Sequence, residues 1–189
     1  MGLFRILCLT FILKTFGVIM SADARLDPDT GLYTRHVFGM LFNHEIVRTH
    51  RYPSPLVLLR IAAQYDKPPD SGNTENAHTN VARTLFHSIR QVDVPAQFGE
   101  DFLVLLPGTD ERGGTVVGNR LLKRLHSDFP TQSGENLPVS VHIGMAVHTG
   151  GPSASAETIL VQASEALEKA RQRGNNTLVN FRDIASRKL

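Results

Sequence analysis

Two short apolar runs, Val92–Phe98 and Phe102–Leu106, are separated only by Gly99-Glu100-Asp101. A gap this short cannot hold a crossover, so the two runs can only pair as an antiparallel hairpin. The other apolar runs alternate with helical stretches. Arg35–His50 carries Val37, Phe38, Leu41, Phe42, Ile46 and Val47 at helical spacing, and His78–Arg90 places Val81, Leu85, Phe86 and Ile89 on one face. Asp110–Phe129 is predicted to be helical, with Gly113-Gly114 read as a loosened start. Ala156–Arg173 is the most regular helix, and Gly174 is its stop signal. Strands are predicted at Leu56–Ala63, Val139–Val147 and Thr177–Phe181, and polar loops at Asp66–Asn76 and Thr131–Pro138. Strands alternating with helices, plus one hairpin, imply an α/β (α+β) fold: a mixed central sheet of about five strands flanked by helices.

A chain of 189 residues with 41% hydrophobic side chains is long enough for one self-sufficient core. Its 20 basic and 18 acidic side chains leave a formal charge of +2, too balanced for a general nucleic-acid binder. The single cysteine, Cys8, cannot form an internal disulfide. The eight histidines show no ligand-like spacing, so no histidine metal site is expected. Residues 1–24 stand apart as a unit, with the folded domain at 25–183 and a tail at 184–189. The first twenty residues are nearly all apolar, broken by Arg5 and Lys14. They admit three readings: a membrane anchor, a secretory signal ending at Ala22-Asp23-Ala24, or a helix that docks on the domain or a partner.

Five segments, in order, resemble the motifs of GGDEF domains, the diguanylate cyclases that make cyclic di-GMP from two GTP. Asp27-Pro-Asp-Thr-Gly-Leu-Tyr-Thr-Arg-His-Val-Phe38 is similar to the family's D-x-L-T-G-L-x-N-R-x-x-F opening. Phe98-Gly99-Glu100-Asp101-Phe102, in the hairpin, resembles GG[DE]EF with one glycine lost. Leu105-Leu106-Pro107-Gly108-Thr109 resembles the family's strand exit, and Val141-His142-Ile143-Gly144-Met145-Ala146 its S-I-G-[IVA]-A strand. The run from Ala163 to Asn176 resembles A-D-x-A-L-Y-x-A-K-x-x-G-R-N. The resemblance spans about Asp27–Phe181 and implies a palm-like fold.

The departures bear on the chemistry. The family's reaction is attack of a 3′-hydroxyl on an α-phosphate, with two divalent ions held by hard oxygen ligands. The resemblance places one carboxylate at the end of the first strand and another at the third letter of the signature. Aligned on Lys67, the strand has Ala62 where the metal aspartate belongs and Gln64 at the second position; Asp66 is a poor substitute. Glu100 and Asp101 are then vestiges, and Glu100 is the one remaining metal ligand by type. Mg²⁺ is expected only if cyclase activity is retained, and no cofactor otherwise. The guanine-binding run is shortened, its asparagine and histidine absent. Arg171 takes the place of the phosphate-holding lysine, as a vestige, and His142 that of the strand serine.

Arg90-Gln91-Val92-Asp93 matches R-x-x-D, the family's inhibitory site for its product. Arginine can grip a guanine edge or a phosphate in bidentate fashion, and aspartate can accept from guanine nitrogens. Arg120 and Arg124 are further phosphate-contact candidates, against a plain solvated helix face. Three functions follow. The favoured one is a catalytically inactive GGDEF-like domain that receives cyclic di-GMP at Arg90 and Asp93. The second is a non-nucleotide-binding interaction or dimerisation module, and the third an active cyclase with an atypical metal site. Expected partners are cyclic di-GMP and a second copy or partner protein, not nucleic acid. The expected compartment is the cytoplasm, with inner-membrane attachment if residues 1–20 are an anchor.

Overall fold

The run Leu56–Tyr65, β1, is apolar on both faces because both faces are covered. Leu56 and Leu58 pack in one core, while Val57, Leu59 and Ile61 pack in the other, on the opposite side of the sheet. The computed structural model describes residues 25–65, 74–127 and 139–186. Before β1 comes α1 (Arg35–Arg51); after it come α2 (Thr74–Ser88), β2 (Val94–Phe98), β3 (Asp101–Pro107), α3 (Glu111–Ser127), β4 (Val139–His148), α4 (Ala156–Arg173), β5 (Thr177–Asn180) and α5 (Phe181–Ala185). The five strands lie in the order β2-β3-β1-β4-β5. All neighbours are antiparallel except β4 and β5. This is the mixed α/β sheet expected from the hairpin and the alternation.

Helices α2 and α3 supply the core residues Val81, Leu85, Leu121 and Leu125 on one face of the sheet. On the other face, Phe38, Phe42 and Ile46 of α1 pack with Ile159 and Ala163 of α4. Strand β2 is a sheet edge and carries Pro95, which has no amide to donate. The chain before α1 covers that edge: Tyr33 donates its amide to the Pro95 carbonyl (3.2 Å) and accepts from the Gln97 amide (3.0 Å).

Several boundaries differ from the expected ones. The hairpin pairs Phe98 with Asp101, so Asp101 belongs to β3 and only Gly99-Glu100 turns. Gly99 has φ +63° while Glu100 has no positive φ, the type II′ pattern that requires glycine first. Helix α2 begins at Thr74, inside the stretch expected to be loop, and stops at Ser88, short of Arg90. The last strand ends at Asn180, whose side chain accepts from the Arg182 amide and opens α5. Gly114 does not loosen a helix start; a Cβ there would meet Val57 and Met145, so α3 rests closely on the sheet. The expected loops Asp66–Asn76, up to residue 73, and Thr131–Pro138 lie outside the described residues, as does the segment 1–24.

At Gly144 a Cβ would strike the Ala163 carbonyl and the Leu167 amide, both backbone atoms of α4. Gly144→Ala is therefore expected to lower the unfolding free energy by about 1–3 kcal/mol, the range for overpacking a close-packed contact. A shift in the urea midpoint at constant slope measures it.

Candidate functional site

The hairpin end of the sheet holds one dense polar cluster. Asp101, 6% exposed, accepts at Oδ2 from Arg60 Nε (2.8 Å) and at Oδ1 from Arg171 Nη2 (3.1 Å), and Arg60 Nη2 forms an ion pair with Oδ2 at 2.7 Å. Arg60 comes from the middle of β1 and Arg171 from the last turn of α4. Arg60 Nη1 also donates to Ser164 Oγ (2.7 Å), which donates on to the Leu160 carbonyl. Phe98, where the signature resemblance loses a glycine, is flanked by cations: the guanidinium carbons of Arg35 and Arg60 lie 4.7 and 5.2 Å from its ring centroid.

Glu100 is elsewhere in character. Its side chain is 96% exposed, and His78 Nε2 lies 3.6 Å from its Oε2. Ala62 is buried; it pairs with His142 of β4, and on the β3 side the register that pairs Ile61 with Phe102 brings it level with Asp101, where it offers only a methyl group. The β1 side chain that meets Asp101 is Arg60: it pairs with Leu103, lies on the same sheet face as Asp101 two residues along β3, and reaches the carboxylate diagonally. The strand residue that decides this site is therefore Arg60, which the alignment through Lys67 passed over; Lys67 and Asp66 lie outside the described residues. A sequence signal did exist. Arg60 is the lone charge in LVLLRIAA, and a cation in a strand covered on both faces needs an acceptor.

A divalent ion does not fit the described residues of the hairpin cluster. Both oxygens of Asp101 are already paired with guanidinium groups, and the positive charge of Arg60 stands beside them. Mg²⁺ needs several close oxygen ligands and would meet like charge there. Among the described residues, no group of three or more His, Cys, Asp or Glu is placed to hold a metal. His142, almost fully buried, has its imidazole pKa pushed below the ordinary 6.5 by burial first and then by Arg171. Its Nδ1 has no hydrogen-bond partner.

The second cluster sits where α2 runs into β2. The Arg90 amide donates to Asp93 Oδ2 (2.7 Å) and the Asp93 amide to the Arg90 carbonyl (3.0 Å), closing a tight turn. R-x-x-D therefore has a structural role, because it ends the helix and aims the chain into the edge strand. That role uses only one carboxylate oxygen. Asp93 is 6% exposed, and its Oδ1 is buried with no hydrogen-bond partner. Burial raises its pKa above the ordinary 3.8, against opposing effects of the Arg90 amide and of the charges on Arg90 and Arg120. Arg90 and Asp93 line a cavity of about 510 Å³ whose other walls include Leu26, Leu32, Tyr33, Phe86 and Ile89.

Arg120 and Arg124 of α3 reach the same helix end, but in a different role from a plain solvated face. Arg120 Nη2 donates to the Ser88 carbonyl (2.6 Å); Arg124 Nη1 donates to the His87 carbonyl (3.2 Å) and Ser88 Oγ (3.0 Å). These carbonyls have no partner inside α2, so the two arginines cap it. The fold thus gathers Arg90, Asp93, Arg120 and Arg124 around the end of α2, joins Asp101 to Arg60 and Arg171 as a separate cluster, and leaves Glu100 exposed beside His78.

Comparison with known proteins agrees with this architecture. A family model described as diguanylate cyclase, GGDEF domain, matches residues 24–177. The diguanylate cyclase DosC of Escherichia coli (strain K12) is 26% identical over 176 residues, covering 89% of this chain and 37% of DosC. The diguanylate cyclase DgcP of Pseudomonas aeruginosa is 29% identical over 164 residues, covering 82% of this chain and 24% of DgcP. The chain thus spans well under half the length of these relatives. Among solved structures, the GGDEF domain of DgcB from Caulobacter crescentus in complex with c-di-GMP superposes with a TM-score of 0.78 at 17% identity, over 86% of this chain and 99% of that one. The diguanylate cyclase SiaD of Pseudomonas aeruginosa, in complex with its activator SiaC, gives 0.77 at 21% identity, over 91% and 67%.

Proposed function

This chain belongs to the GGDEF domain family, and from that membership we propose that it is a member that binds cyclic di-GMP without making it. The observation that carries the reading is Asp93. Its buried Oδ1 has no partner, it lines a cavity of about 510 Å³, and Arg90 stands in the same wall. A buried carboxylate oxygen without a donor is unfavourable, and a guanine imino or amino group would satisfy it. Arg90 supplies a planar fork for the guanine edge or a phosphate, and Arg120 adds positive potential beside Asp93.

The hairpin cluster supports the other half. Family catalysis needs carboxylates free to hold dications, and here Asp101 is committed to Arg60 and Arg171 while Glu100 has no carboxylate partner in the cluster. With its ligand bound, the domain passes the signal to a partner protein or a second copy, as SiaD assembles with SiaC.

Isothermal titration of the protein with cyclic di-GMP tests the reading. Saturable heat is expected; its absence at high ligand concentration would leave an interaction module that binds no nucleotide. Incubation with GTP and Mg²⁺ or Mn²⁺ should yield no cyclic product by chromatography. Product formation that disappears in Glu100→Ala would restore the cyclase.

A further inference from the structure

The cavity beside Arg90 is largely apolar and incompletely filled. Phe86 and Leu26 line it and remain 65% and 42% exposed, with Val92, 65% exposed, next to Gln91 on its rim. Large apolar side chains grouped at one concave place mark a surface that something covers. Leu26 is also where the described chain emerges, and the Arg25 carbonyl accepts from the Thr34 amide at 3.0 Å, holding that point against the cavity wall. The residues immediately upstream are the apolar run Leu3–Met20, joined through only residues 21–25.

We propose that the apolar N-terminal run of this chain docks into the cavity formed by Leu26, Leu32, Phe86, Ile89 and the Arg90–Asp93 turn. A short tether gives the segment an effective concentration on the order of millimolar at the cavity mouth, ahead of any partner in solution. Its composition suits the walls, and its charges suit the one polar fault. Within the run only Arg5 and Lys14 are charged, and Asp93 offers a buried oxygen with no donor. A cation there would satisfy that oxygen. Docking also couples the segment to the turn. If the cyclic di-GMP reading holds, nucleotide and segment compete for Arg90 and Asp93, and binding releases the N-terminus.

Cys8, the chain's one cysteine, makes the test direct. A nitroxide on Cys8 of the full chain, without nucleotide or lipid, should cause loss of the Phe86, Ile89 and Gln91 amide signals, restored on reduction of the label. Phe86→Asp should abolish the loss, and because Phe86 is 65% exposed the fold itself persists, read from unchanged amide signals away from the cavity. Three outcomes would overturn the proposal. One is signal loss at other surfaces. Another is loss in mixtures where nitroxide and isotope sit on different chains, which makes the occupant a second copy. The third is no loss in solution with immobilisation of the label on phosphatidylglycerol vesicles, which makes the run a membrane segment. None of these arms uses nucleotide, so docking stands or falls apart from cyclic di-GMP binding. Added cyclic di-GMP should then restore the signals; saturation without restoration would overturn the competition.

Discussion

Asp101→Ala is expected to lower the unfolding free energy by about 3 kcal/mol, at the low end of the range for breaking a buried ion pair. The carboxylate is the shared acceptor of Arg60 and Arg171, whose side chains keep 23% and 34% exposure. Removing it leaves two neighbouring cations that repel, with donors that water reaches only in part. The partial exposure is why the loss stays near the bottom of that range. Arg60 would also lose the partner that orients its stacking on Phe98. The measurement is the urea midpoint at pH 7 for the wild type, Asp101→Ala and the double variant Asp101→Leu with Arg60→Met. The double variant should recover part of the loss, because it replaces the Asp101–Arg60 pair whole while Arg171 keeps its pairing with Glu168. A single variant as stable as the wild type would show that the cluster is solvated and that Asp101 is free for other work.

Arg90→Ala is expected to weaken cyclic di-GMP binding by about 10- to 150-fold, the equivalent of the 1.5–3 kcal/mol of a charged hydrogen bond. The fold should survive, because the turn at this site uses the Arg90 amide and carbonyl rather than its guanidinium. Arg120→Ala should behave differently. Its guanidinium caps α2 through the Ser88 carbonyl, so stability falls together with affinity. Titration calorimetry paired with thermal melting separates the two. Equal affinity in wild type and Arg90→Ala would detach R-x-x-D from ligand binding and leave it as a turn.

The elements were legible where pattern and physics coincide. The α4 stripe through Ile159, Ala163, Leu167 and Ala170 is buried along its length. The Gly99 turn could be read because a type II′ hairpin has a chemical demand. Arg60 was hidden because an apolar average hides a single charge, and the register that sets it beside Asp101 is a pairing between distant segments. The capping role of Arg120 and Arg124 was equally hidden, since it joins α3 to the end of α2 across the core face.

The sequence by itself determined the element order from α1 to β5 and the hairpin, through local periodicity and turn chemistry, and its ordered motifs carried the resemblance that pointed to the family and to the candidate R-x-x-D. The tertiary structure alone decided which cation meets which carboxylate. Strand register and helix placement bring Arg60 and Arg171 to Asp101 and leave Asp93 with an unpaired oxygen. Charge pairing depends on a few ångströms between segments far apart in the chain, and local sequence pattern does not encode that distance.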